Sequence, residues 1–249
     1  MYACQALLEG KIILLVDNSP EVLILPTFFI DFFHASDDYY QKRFNVTFIR
    51  FIRLIAFLIA IFLPSLYIAL TTHNPDNMPI NLLLSFQSQR TTVPFPAFIE
   101  AFLMIITFEI LRECDVRIPS SMGSAISILG GLVLGSAAVD AGIVSPIMII
   151  VVSSSAISGM LMPGVDAINS IRWYRFILII LSSFLGFYGI FLGTIIILST
   201  LADTKSLDKD YLYPFAPINF TEQKDAFLKL NQEKTRNPIL SNNKKRGIS

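Results

Sequence analysis

Charge is the scarcest property of this sequence. Lysine and arginine number 19, aspartate and glutamate 19, and together they make only 15% of 249 residues. A water-soluble domain of this size carries roughly a quarter. The shortage excludes an ordinary cytosolic domain, and the zero net charge gives no footprint for a nucleic acid beyond a short basic end, Lys244-Lys245-Arg246. Histidine is nearly absent as well, with His34 and His73 alone. No HExxH helix and no serine/histidine pair in matched helices can be drawn, so an intramembrane enzyme has no catalytic set. The two cysteines, Cys4 and Cys114, are too far apart in sequence for a disulfide framework or a metal-ligand spacing. Cys4 follows three residues with no apolar segment before it, which argues against a lipoprotein cysteine and a cleavable targeting peptide. A phosphate-binding loop would need a terminal GKS or GKT, which is missing. Nothing in these absences points to a metal or cofactor.

What is present is apolar length. Hydrophobic residues make 53% of the chain and mean hydropathy is +0.62. The composition is that of an integral membrane protein. Leu54 to Leu70 is a 17-residue stretch without a charge, long enough to cross a core of about 30 Å with flanking residues snorkelling. The span is drawn from about Phe48 to Leu70, with Lys42, Arg43, Arg50 and Arg53 marking its cytoplasmic end. Pro64 removes a backbone donor and is expected to kink it. Thr71 to Val93 then reads as an exterior loop with a short interfacial helix near Leu82-Leu83-Leu84, and His73 there is a loop residue rather than a ligand.

The next helix concentrates the interest. Ala97 to Leu111 spans only about 22 Å, with Pro96 placed for a first turn. It carries two carboxylates, Glu100 and Glu109, which are costly in lipid without partners. At about 100° per residue Glu100, Met104, Thr107 and Leu111 share one face, and Phe102, Ile105, Glu109 and Glu113 the opposite one. One glutamate at most can face a pathway. Glu100 also suits a helix start, where the dipole favours an acid, and Glu109 has Arg112 three residues on for an ion pair. The charged elbow Arg112 to Arg117 is read as cytoplasmic. Ile118 to Val139 follows without a charge, and Gly123, Ser127, Gly131 and Gly135 recur every fourth residue, a ridge for close helix packing. Asp140-Ala141-Gly142 turns the chain into Ile143 to Met162, polar-faced through Ser153, Ser154, Ser155 and Ser158. Arg172 and Arg175 with Trp173 and Tyr174 form a basic aromatic belt before a 26-residue uncharged span, Phe176 to Leu201, in which Ser182, Gly186, Gly189 and Gly193 make a second ridge.

The expected fold is therefore an all-α polytopic membrane protein of about five apolar helical segments. Five full crossings from a cytoplasmic start would leave the basic C-terminal tail outside, so one segment, 97 to 111 or 123 to 139, is expected to be re-entrant. Residues 1–47 read as the end of a cytosolic domain and an interfacial segment, with two short strands, Lys11–Val16 and Glu21–Pro26, joined by a turn. Residues 48–201 form the transmembrane domain and 202–249 a cytosolic tail, in which Tyr211 to Pro217 is a docked segment. From residues alone several functions stand: a channel between subunits, a secondary transporter working around Asp140 or Glu109, or a scaffold. No inverted repeat is visible to favour the transporter, and a scaffold gives no reason for carboxylates in an apolar helix.

The runs GKIILLVDNSP, LPTFFIDFF, DDYYQKR, RLIAFLIAIFLPSLYIALTTHNPDNMP, VPFPAFIEAFLMIITFEILRE, RIP, ISILGGLVLGSAAVDAGIVSPIMIIVV and YLYPFAP, in that order, resemble the A subunit of the GerA-type spore germinant receptor family. The resemblance covers roughly Leu8 to Pro217. It implies a non-enzymatic subunit of the spore inner membrane that works with a transporter-like B subunit and a lipoprotein C subunit in nutrient sensing. It also implies a homo-oligomeric ring that conducts ions when triggered, and a soluble N-terminal domain of which this chain holds only the end. On that reading Glu100, Met104, Thr107, Phe108 and Glu109 are the pore-lining candidates, with a hydrophobic constriction near Met104, Thr107 and Phe108.

Overall fold

A computed structural model describes residues 6–7, 10–18, 22–35, 38, 42–117, 131, 135–207, 209–213 and 215–216. They are mostly helical, with a small N-terminal β-hairpin. Among the described residues two helices are long and apolar enough to cross a membrane, over Phe44–Thr72 and Ala167–Leu185, and Pro146–Met160 and Phe187–Asp203 are shorter apolar helices. Two compact units divide the chain, 1–54 with 197–249 and 55–196.

In the first unit the strands β1 (Ile12–Leu15) and β2 (Val22–Leu25) pair antiparallel, Ile12 opposite Leu25. Asn18 takes the left-handed conformation that the turn needs, with φ 64°. A 3-10 turn follows at Phe29–Phe33. Asp31 holds it by accepting from the Phe28 N–H at 2.9 Å and pairing with Lys11 Nζ at 2.8 Å. The segment expected to dock does so: Phe28 and Ile30 are buried against Tyr213 and Phe215, and the Phe29 N–H donates to the Tyr211 carbonyl at 2.9 Å. Two minimal strands, β3 (Lys205–Ser206) and β4 (Lys209–Asp210), close that end, and Ser206 Oγ accepts from the Thr27 N–H at 3.1 Å.

Arg50 and Arg53 are engaged rather than free at the interface. Asp38, 1% exposed, takes Arg53 Nη1 at 2.7 Å and Nη2 at 3.1 Å, with Arg50 Nε at 3.6 Å. Arg53 also donates to the Phe33 carbonyl at 2.9 Å. Burial alone pushes the Asp38 carboxyl up. The Arg53 hydrogen bonds, the Ala35 N–H and the two guanidinium charges outweigh it, so its pKa lies below the ordinary 3.8.

Helix α1 runs Arg43–Thr72, longer at both ends than the span drawn from the sequence, with Pro64 inside. α2 is Ile80–Arg90 and α3 is Ala97–Arg117, so the charged elbow continues the helix instead of ending it. At 21 residues α3 is about 31 Å long, although its apolar part remains short. α4, Pro146–Met160, starts at its proline with Ser145 as the cap, where an internal polar helix from Ile143 was expected. Proline at a first position has no N–H to lose there.

The single 26-residue span expected from Phe176 to Leu201 is broken. α5 (Val165–Leu185) and α6 (Phe187–Asp203) meet at Gly186, whose φ is +60°. Ser182, Gly186, Gly189 and Gly193 therefore make a hinge and a close approach, not one ridge: a Cβ on Gly189 would strike the Leu181 carbonyl, and one on Gly193 would lie 2.5 Å from Leu178 Cδ2. His73 sits against this hinge, its Nε2 2.7 Å from the Ser183 carbonyl oxygen. In the other ridge Gly123 and Ser127 lie outside the described residues. Among the described residues nothing stands within 4 Å of where a Cβ would be on Gly131 or Gly135.

The core of the second unit lies where α1, α3, α4 and α5 converge. Tyr67 and Ile68, Ala97, Ala101, Met104 and Ile105, Met148 and Val152, and Ile179 pack there, with Val144 just before α4. Along α3 the positions 97, 101, 104 and 105 follow helical spacing and form the inward stripe. In lipid such contacts hold by close packing, not by escape from water.

Candidate functional site

Glu100 and Glu109 lie about 180° apart around α3, yet each has charged or polar partners within the chain. They flank the same inward stripe, one on each edge. Glu100 is fully buried, and its Oε1 accepts from the Ser145 N–H at 2.5 Å and from the Ser145 hydroxyl. Ser145 Oγ in turn accepts from the Met148 N–H at 3.3 Å. The carboxylate therefore faces the N-terminal end of α4, where the unpaired N–H groups and the helix dipole favour negative charge. Arg90, at the end of α2, brings its Nε to 3.8 Å from the second oxygen.

Glu109 is held by arginines from two helices. Arg175 Nη2 lies 2.6 Å from its Oε1, Arg172 Nε 2.9 Å from its Oε2, and Arg112 Nη2 3.7 Å away on the same helix. The positions 172 and 175 share a face of α5 at i, i+3 spacing, and Arg175 is only 5% exposed. A basic aromatic belt, with both arginines as topology or ion-pair residues, was expected there; the counter-charge on α3 draws both side chains to Glu109, while Trp173 between them stays 69% exposed.

Arg175 ties the site to a defect in α1. Pro64 has no N–H, so the Ala60 carbonyl four residues back loses its helical donor. Ser155 Oγ on α4 supplies it at 2.8 Å, and Arg175 Nη1 donates to that same oxygen at 3.3 Å. Ala60 and Ser155 are fully buried. The chain Ala60, Ser155, Arg175, Glu109 thus joins four helices through polar contacts. Beside it opens a cavity lined from α3 by Ile105, Phe108, Glu109 and Arg112, from α4 by Val152, Ala156, Gly159 and Met160, and from α5 by Ile168, Ile171, Arg172 and Arg175.

Of the pore-lining candidates, Met104 packs in the core and Glu100 is enclosed beside it. Phe108 and Glu109 line the cavity. Thr107 is half-buried, and its hydroxyl returns to the Leu103 carbonyl at 2.8 Å. Asp140 is exposed at the end of a helical stretch, 135–140, and does not line the cavity. Among the described residues no cluster of histidine, cysteine, aspartate and glutamate could hold a metal ion. Sequence reasoning passed over Ser145 and Arg90 and read Ser155 only as part of a polar helix face. Ser145-Pro146 was a readable cap and first-turn signal; the partners of Arg90 and Ser155 are distant in sequence and gave no local signal.

The family model described as "Bacillus/Clostridium GerA spore germination protein" matches residues 2–239. Spore germination protein KA of Bacillus subtilis is 44% identical over 224 residues, 90% of this chain and 41% of that protein. Uncharacterized membrane protein YfkQ of the same organism is 44% identical over 90% of this chain and 44% of its own length, and spore germination protein GerQA of Bacillus cereus 39% identical over 96% and 48%. The chain thus spans less than half the length of these relatives. No solved structure matches.

Proposed function

The chain belongs to the GerA spore germination family, and on that premise we propose that it is the membrane subunit of a nutrient-sensing germination receptor in the spore inner membrane, where copies assemble around an ion path. A transporter-like B subunit and a lipoprotein C subunit are its partners, and nutrient recognition by the B subunit opens the path. The chain crosses the membrane four to five times, with one apolar segment re-entrant. α3 is the lining helix. Thr107 lies at its constriction, which gates by dewetting, and Phe108 packs behind it against the core. Glu109 sits at one end under the control of its arginines, and Glu100 and Met104 fix the inner face of the helix against α4.

The observation that carries this reading is the pinning of α3. It is an apolar helix with a carboxylate at each edge of its buried stripe, both answered by groups on other helices. That arrangement sets the rotation of α3 and leaves Ile99, Leu103 and Ile110 exposed on its outer face. A scaffold needs no such fixed rotation.

The test is potassium leak from growing cells that express the chain with its cognate partners. Phe108→Ala is expected to raise the leak by loosening the packing behind the constriction. A leak unchanged by Phe108→Ala, Thr107→Ala and Glu109→Ala, with the protein present in the membrane, would favour a scaffold.

A further inference from the structure

The cavity between α3, α4 and α5 is unbalanced in charge. Among the described residues that line it, three guanidiniums, Arg112, Arg172 and Arg175, face one carboxylate, Glu109. Three guanidiniums also carry many more N–H donors than the one carboxylate and one serine hydroxyl that meet them among the described residues can accept. Arg175 is the telling member. Its side chain is 6% exposed and lines the cavity, and its Nε has no hydrogen-bond partner among the described residues. A buried guanidinium donor is costly to leave unmet. Glu113, whose charge also acts on Arg112, is exposed and does not line the cavity.

The surroundings specify where the missing acceptor comes from. Arg172 reaches the outside, 29% exposed, and Met160 at the rim is 57% exposed. Ile157, one turn before Met160, and Trp173, beside Arg172, are 64% and 69% exposed. Exposed apolar side chains beside an arginine pocket, with a tryptophan at the rim, suit an interface where a headgroup enters and acyl chains lie alongside.

We infer that this cavity is a binding site for a phosphate group, held by Arg172 and Arg175 with Arg112 behind them. An anionic phospholipid headgroup and free phosphate share that chemistry. Either would satisfy the surplus donors by charge-assisted, bidentate contacts, for which guanidinium geometry is suited. The inference is independent of whether the chain conducts ions.

The purified full chain in neutral detergent is titrated with phosphatidylglycerol, with phosphatidylcholine and with inorganic phosphate, and binding is read by native mass spectrometry and by melting temperature. Saturable binding of phosphatidylglycerol above phosphatidylcholine is expected. Arg172→Gln should weaken it about fivefold, from roughly one basic side chain's contribution at a membrane surface. Glu109→Gln should tighten it in the opposite direction. Lys205→Gln, a surface lysine elsewhere in the chain, should leave it unchanged. Arg172 is the most exposed of the three arginines that line the cavity facing Glu109, so an unaltered melting temperature without lipid certifies the fold of its variant. Should inorganic phosphate compete or bind alone with the same variant pattern, the site stands with free phosphate as its ligand. No binding in any arm, or equal binding by the Arg172→Gln and Lys205→Gln proteins, overturns it.

Discussion

Replacing Ser155 by alanine should cost far more beside Pro64 than it would beside an alanine. In the native protein Ser155 Oγ donates to the Ala60 carbonyl at 2.8 Å and accepts from Arg175 at 3.3 Å, and all of this is buried. Ser155→Ala strands a carbonyl that Pro64 has already deprived of its helical donor. Leaving such a group unmet costs about 1–3 kcal/mol, and hydrogen bonds between membrane helices measure about 1 kcal/mol, so a loss of about 2 kcal/mol is expected. Pro64→Ala returns an N–H to Ala60, and the serine then has only its arginine contact to lose. The penalty of Ser155→Ala should fall by about 1 kcal/mol in that background, a coupling that a double-mutant cycle resolves. Reversible unfolding in mixed micelles, followed by circular dichroism, measures all four proteins. Equal penalties in the two backgrounds would refute the claim that Ser155 substitutes for the donor missing at Pro64.

Gly186→Ala should destabilise by about 1–3 kcal/mol, since the residue sits at φ +60° and a Cβ would lie 2.8 Å from His73 Cβ; a melting temperature equal to the native one would contradict the hinge. Arg175→Gln breaks a buried ion pair and should cost about 3–5 kcal/mol, with Glu109→Gln added to it recovering part of the loss. Stability should also depend on pH through Asp38. Its native pKa is depressed, so its contribution is complete above the ordinary carboxyl value and drains away as pH falls through the native one. Asp38→Asn should flatten that acid limb in a pH series of unfolding curves.

Much of this architecture was legible from local pattern. The β-hairpin announced itself by two apolar runs around Asp17-Asn18-Ser19-Pro20, and the helix start at Ala97 by Pro96. The continuous α1 followed from 17 residues without a charge. The misreadings share a cause, which is that hydropathy does not register backbone direction. Phe176 to Leu201 looks uninterrupted because Gly186 breaks it by a positive φ, not by polarity. Pro146 looks like an interruption although it is a beginning. Around the site the limit is different. Glu109 and Arg112 are neighbours in sequence and their pairing could be read, but Arg175 lies 66 residues from Glu109 and Ser145 45 residues from Glu100. Only packing brings those together. Wheel geometry put the two glutamates on opposite sides, and that arithmetic holds; what it could not show is that both sides border the buried stripe.

The central claim, that α3 lines an ion path, is tested most directly by substituted-cysteine block. With Cys4 and Cys114 replaced by serine, Thr107→Cys is expressed with the cognate partner subunits, and nutrient-triggered potassium release is measured before and after a membrane-impermeant thiol reagent. The account predicts that the reagent abolishes release at Thr107→Cys and leaves Leu192→Cys, exposed on α6, unaffected. Release that persists at Thr107→Cys after labelling has been verified would contradict it.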